Sequence, residues 1–166
     1  THGYAFPEYN SLDTTIKENS LRYSYRFSPN PMVRSGLILA GGNWAWTGIG
    51  RDTLETLGDE ENGILTALEV SIMNLRKTKL VVLSACETGL GKIEGSEGTF
   101  GLKRGFKLAG VEQMIVSLWS VPDKETMELM TIFYEDLTQS LNPVISFEKA
   151  QKQMRESYPT RPDLWA

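Results

Sequence analysis

The chain has 166 residues, 40% of them apolar and 23% charged, the balance of a globular domain large enough for one core and too short for two. Its formal net charge is −4 and its basic residues are scattered, so no patch neutralises phosphates and direct nucleic-acid binding is not expected. No apolar run approaches the roughly 20 residues of a membrane span, and Thr1-His2-Gly3-Tyr4 is no basic region ahead of an apolar stretch. The sequence therefore predicts neither a membrane nor a secretory signal, and a cytoplasmic location.

In chain order, Gly36 to Asn43 (GLILAGGN) predicts a buried strand closed by glycines, after a loop rich in Ser, Asn, Pro and Thr. Residues 43–62 carry Trp44, Trp46 and several acids without a period, and predict an exposed insertion whose tryptophans fold back onto the body. Ile64, Leu65, Leu68, Ile72 and Leu75 recur at helical spacing, with Asn62 as cap and Arg76 and Lys77 at the end. Lys79 to Ser84 is β-branched and continuously apolar, like strands buried in parallel sheets.

A glycine-rich loop from Gly89 to Gly98 precedes a helix from about Thr99 to Ala109, closed by Gly110, with Lys103, Arg104 and Lys107 on a solvated face. Gln113 to Leu118 predicts a third strand. Asp123 after Pro122 is the expected cap of a long helix through Met127, Met130, Tyr134 and Leu137. Asn142 and Pro143 open a last helix with Val144, Phe147, Ala150 and Met154 on one side. Strands alternating with helices predict α/β architecture, in which ligands bind beyond the carboxyl ends of the strands. Cys86 follows the second of these strands.

The glycines after Cys86 do not form a phosphate cradle. A Walker loop needs glycine where Cys86 stands and Ser or Thr where Ile93 stands, and a dinucleotide fingerprint from Gly89 and Gly91 needs glycine at Glu94. One cysteine and one histidine exclude an intrachain disulfide and the usual zinc cages, leaving Cys86 as core filling, a lone metal ligand or a nucleophile. A nucleophile needs a base, and His2 is the one imidazole; Gly3 beside it lets backbone N–H groups approach a carbonyl oxygen. On spacing alone, an inert buried thiol and a frayed terminal histidine account for the same residues.

Longer motifs carry a resemblance. The run Leu80-Val81-Val82-Leu83-Ser84-Ala85-Cys86-Glu87-Thr88-Gly89-Leu90-Gly91 resembles the nucleophile segment of CHAT domains, a branch of the caspase-like clan of cysteine proteases. Thr1-His2-Gly3-Tyr4 resembles the histidine motif of that family, and Ser35 to Gly42 the strand after it. Gly95 to Leu102, Leu108 to Val111 and Ser117 to Asp123 extend the match over nearly the whole chain.

The resemblance implies a three-layer α/β fold of the caspase-like kind, with a mostly parallel sheet flanked by helices and the histidine and cysteine following adjacent parallel strands. His2 and Cys86 match the catalytic pair, and the backbone N–H groups of Gly3 and Cys86 the oxyanion donors. The implied activity is cysteine endopeptidase on a protein or peptide substrate, with no cofactor or metal. Members are often attached to helical repeats, and some act in bacterial defence or cell death. An apolar strand ahead of the histidine and another after Trp165-Ala166 are normal in the family, so the single domain is expected to be clipped at both edges.

Glu87 has two readings, a substrate-pocket residue that orients a substrate or the histidine, and loop structure, which is favoured because a carboxylate beside a thiol opposes the thiolate. Trp119 has two readings, a wall of the first specificity pocket or simple packing at a strand end. The rival to the protease is a catalytically inactive caspase-like module that binds a partner; an α/β ligand-binding domain is the third reading.

Overall fold

A computed structural model describes residues 2–6, 21–47, 62–83, 97–117, 119 and 121–165, which divide into two units, Thr1–Trp119 and Ser120–Ala166. In the first, three short strands, β1 (His2–Ala5), β2 (Ser35–Ile38) and β3 (Ile64–Thr66), form an antiparallel sheet in the order β1-β2-β3. All four residues of β2 are buried, which is why its sequence runs apolar without alternating: both faces are covered. On one face Tyr4, Ile38 and Ile64 pack with Ala45 of α2 (Gly42–Thr47), joined by Phe6, Trp46 and Tyr25 of α1 (Leu21–Arg26). On the other, Leu37 and Leu65 meet Ala67 and Val70 of α3 (Ala67–Ile72), Leu102 and Phe106 of α4 (Glu97–Leu108), and Val111.

Two further strands, β4 (Leu80–Leu83) and β5 (Gln113–Val116), pair in parallel with Leu80 opposite Gln113. A parallel pair needs a long crossover, and α4 supplies it. Val81, Leu83 and Met114 pack against the same core as Leu37. Trp46 folds back as expected: its ring centroid lies 4.6 Å from that of Tyr4 and stacks on Phe6 at 5.8 Å. The side chain of Trp44 and residues 48–61 lie outside the described residues.

The strands expected at 36–43, 79–84 and 113–118 are present as β2, β4 and β5, and the chain is α/β. The mostly parallel sheet is not what the described strands form: they make an antiparallel trio and a separate parallel pair. The helix expected from Ile64 is also corrected. Ile64 and Leu65 belong to β3, and Asn62 bonds the Ile64 N–H at 2.8 Å instead of capping a helix. The cap is Thr66, whose hydroxyl accepts from the Glu69 N–H at 3.1 Å while the Glu69 carboxylate accepts from the Thr66 N–H at 2.6 Å. Leu68 and Ile72 are exposed, Ile72 at 82%, while Ala67 and Val70 are buried.

In the second unit, α5 (Asp123–Ser140) and α6 (Pro143–Ser157) form a helical hairpin. Pro122, not Asp123, occupies the N-cap of α5, with no side-chain cap bond, and Asp123 lies in the first turn, where a carboxylate favours the helix dipole. The long helix expected through Met127, Met130, Tyr134 and Leu137 is α5; its buried residue is Phe133, edge-on to Phe147 at 5.8 Å, while Met127 and Tyr134 are 66% and 46% exposed. Asn142 and Pro143 start α6 as expected, Asn142 Oδ1 accepting from the Val144 and Ile145 N–H groups. Ala150 and Met154 are buried and Val144 is exposed. The chain then turns through a 3-10 helix (Pro162–Leu164), and Trp165 Nε1 donates to the Tyr158 carbonyl at 3.0 Å while the Gln151 amide donates to the Trp165 carbonyl at 2.9 Å.

Two features fix stability locally. Gly105 of α4 lies against the start of α3, so that a Cβ there would sit 2.5 Å from the Ala67 carbonyl oxygen. In an exposed helix Gly→Ala stabilises by about 1 kcal/mol, but overpacking a close backbone contact costs about 1–3 kcal/mol. Gly105→Ala is therefore expected to lower the denaturant midpoint with its slope unchanged; a raised midpoint would show slack between α3 and α4.

In the hairpin, Asp136 forms an ion pair with Lys149 and accepts from the buried Ser146 hydroxyl at 2.9 Å, which lies 2.7 Å from the Ser140 hydroxyl. The bond from Lys149 first, and that from Ser146 next, hold the Asp136 carboxyl below its usual range. A lowered folded-state value stabilises above the unfolded value of about 3.9 and is lost as pH falls through the lower folded value. The thermal midpoint should therefore drop as pH falls below about 4, and Asp136→Asn should flatten that part of the profile; parallel profiles would remove the role.

Candidate active site

The residues around His2 are set by the hydrogen-bond parity of β1. The register places His2 opposite Ile38, Gly3 opposite Leu37, Tyr4 opposite Gly36 and Ala5 opposite Ser35, and the Phe6 N–H donates to the Arg34 carbonyl at 2.8 Å. Hydrogen-bonded and non-bonded pairs alternate along an antiparallel ladder. Tyr4–Gly36 and His2–Ile38 are thus the bonded pairs, and the backbone N–H groups of Gly3 and Ala5 turn toward the other edge of β1. The far side of β2 agrees: the Leu39 N–H donates to the Gly63 carbonyl at 2.8 Å, so Leu37 bonds to β3 and leaves Gly36 and Ile38 for β1. Among the described strands none pairs with the outer edge of β1. Gly3 is nevertheless buried. A backbone N–H outside the β1–β2 ladder, one residue after the single histidine, is chemically able to hold a developing oxyanion.

Next to it stands an aromatic cluster. Tyr4 is 5% exposed, its hydroxyl donates to the Val33 carbonyl at 3.2 Å, and its ring stacks on Tyr25 at 5.9 Å. Burial first, then Tyr25 and the Glu69 carboxylate, push its phenol far above the ordinary value. Tyr25 is raised too, by burial and then Glu69, with the Asn62 bond opposing. Both rings stay neutral at physiological pH, so neither serves as a base. Arg22 and Arg26 of α1 lie over Trp46 and Phe6 at 5.9 and 5.7 Å, cation–π contacts on the outside of the cluster.

Of the expected site residues, Gly3 and the backbone of His2 lie in β1 and Trp119 is half-buried just after β5. The His2 side chain, Cys86, Glu87 and the loop from Gly89 to residue 96 lie outside the described residues. β4 ends at Leu83, shortly before Cys86. His2 lies within an antiparallel strand, whereas β4 belongs to the parallel pair, so the described strands do not show the adjacent parallel arrangement. Lys103, Arg104 and Lys107 are exposed as expected, and Lys107 donates to the Glu112 carbonyl at 2.9 Å. The residues missed are Tyr4 and Gly36 as a pair; a large residue facing a small one across two strands was the available signal.

Among the described residues, no cluster of three or more His, Cys, Asp or Glu side chains is placed to hold a metal ion, and no helix is long and apolar enough to cross a membrane. Two curated proteins are similar to the chain: Tetratricopeptide repeat protein 28 of mouse and of human, each 32% identical over 104 residues. The shared segment covers 62% of this chain and only 4% of each relative. No solved structure matches. The CHAT domain model matches residues 4–166, a span that takes in Cys86, Glu87 and Trp119 and begins just after Gly3, and the chain belongs to the CHAT domain family, within the caspase-like clan.

Proposed function

We propose that this domain is a cysteine endopeptidase in which Cys86 is the nucleophile and His2 its base. His2 takes the thiol proton as the sulfur attacks a peptide carbonyl, and the N–H groups of Gly3 and Cys86 hold the oxygen of the tetrahedral intermediate. Collapse of that intermediate breaks the C–N bond. The proton on His2 leaves with the amine, and a thioester remains on Cys86. Water then attacks the thioester, giving its proton to His2, and the released thiol recovers it while the acid product departs. Trp119 walls the first specificity pocket in this reading, and Glu87 shapes the loop.

The observation that carries the proposal is the Gly3 N–H, turned away from the β1–β2 ladder immediately after the histidine. Family membership and the Leu80–Gly91 motif support it. The substrate is a protein or peptide. The names of the relatives support a parent polypeptide in which this single domain, residues 1–166, is joined to helical repeats. A cytoplasmic setting keeps a lone thiol reduced and reactive.

Because the chain has one cysteine, alkylation by iodoacetamide reads Cys86 alone. The pH profile is expected to place the thiol below the unperturbed value of about 8.5, and His2→Ala should return it there. Cys86→Ala and His2→Ala should each abolish cleavage of a peptide library without unfolding the domain, since members of a catalytic unit lose most of the rate singly. Cleavage that survives Cys86→Ala would show that the nucleophile lies elsewhere. An unperturbed thiol with no cleavage would leave the inactive, partner-binding module as the function.

A further inference from the structure

Along β1 and β2, Gly3 faces Leu37 and Tyr4 faces Gly36, so each wide residue meets a narrow one. The Tyr4 ring lies across β2 in the space that a side chain at position 36 would occupy. A Cβ on Gly36 would stand 2.8 Å from both Cε1 and the hydroxyl of Tyr4, and 2.5 Å from the Leu65 carbonyl oxygen on β3. From this seat the hydroxyl reaches Val33, and Trp46, Phe6 and Tyr25 close around the ring with centroids at 4.6, 5.6 and 5.9 Å.

The arrangement admits one register. A slip of one residue would carry Tyr4 to the opposite face of the sheet, together with every other residue of β1. A slip of two would set the ring against Ile38 or Arg34 instead of a glycine. The packing of the ring adds to the ladder between β1 and β2 in fixing this register. His2 and Gly3 are the two residues that precede Tyr4 on this strand.

We propose that Tyr4, seated on Gly36 and gripped by Trp46, Phe6 and Tyr25, is the positioning residue of the active site, fixing the register of β1 and through it the placement of His2 and the Gly3 N–H. The inference rests on the reading of His2 and Cys86 as a catalytic pair. It adds that the base is held by side-chain packing on the α1–α2 side of the sheet. Tyr4 acts only through geometry: its phenol stays protonated across the range in which a thiol or an imidazole titrates. Among the described residues, the titratable groups that act on it are Tyr25 and Glu69, with Arg22 and Arg26 on the rim of the cluster.

The test uses the full protein and the iodoacetamide pH profile of Cys86, with thermal unfolding as the control for folding. Tyr4→Phe keeps the ring and gives up only the bond to Val33, and it should hold the profile near that of the parent. Tyr4→Leu should move the midpoint up toward about 8.5, as His2→Ala does, and the two changes combined should move it no further. Trp46→Leu, which loosens the grip without touching β1, should shift it in the same direction and decides the matter if Tyr4→Leu does not fold.

If His2→Ala moves the midpoint while Tyr4→Leu and Trp46→Leu leave it in place, the pair stands and the positioning role is overturned. A further shift in the double variant would also overturn it, because Tyr4 would then reach the thiol by a route other than His2. If His2→Ala itself changes nothing, the catalytic pair falls and the inference falls with it.

Discussion

The first unit is organised by one strand that has to be covered twice. β2 is buried over all four residues, and a strand without a polar face has its backbone bonds satisfied only if it is central and its side chains desolvated only if both faces are packed. β1 and β3 meet the first requirement, one on each edge. The aromatic cluster of α1 and α2 meets the second on one face, and the aliphatic core of α3, α4 and β4–β5 meets it on the other. The two coverings differ in kind. The aliphatic side packs by close backbone approach, with a glycine of α4 against the start of α3, whereas the aromatic side packs by stacked rings. Among the described strands the histidine strand is an edge of this sheet, and Tyr4, two residues after the histidine, belongs to the aromatic covering.

What the sequence revealed follows from how much of an element is local. β4, β5 and the start of α6 are legible because continuous apolar runs and an Asn-Pro pair act within a few residues. The boundary between β3 and α3 is not, because Ile64 and Leu65 fit a helical stripe continuing to Leu68 and Ile72 as well as a strand. Thr66 and Glu69 resolve it, a Thr-x-x-Glu capping pair that places the helix start after the two apolar residues. The helix α5 is legible as an element, but its period does not show which face is covered: Phe133 is buried while Met127 and Tyr134 are exposed.

The site was legible at a different level. One cysteine after a buried strand and one histidine do not define a dyad by physical argument, since an inert thiol explains the same residues. The extended motif around Cys86 supplied what spacing did not, and the match over residues 4–166 bears out the family. Hydrogen-bond parity could not be read from the sequence at all. It depends on which residue of β1 faces which residue of β2, and an odd shift exchanges bonded and non-bonded positions. The N–H of Gly3 leaves the ladder only because Tyr4 faces Gly36 and not Leu37.

Packing adds a constraint on how this strand is kept in order. Tyr4 of β1 is held by the side chains of the aromatic covering as well as by the ladder to β2. That covering is contributed by residues distant in sequence, Tyr25 on α1 and Trp46 on α2. Anything that displaces α1 or α2 therefore acts on the strand bearing His2 and Gly3 through the aromatic cluster, which shares no residue with the core on the other face of the sheet.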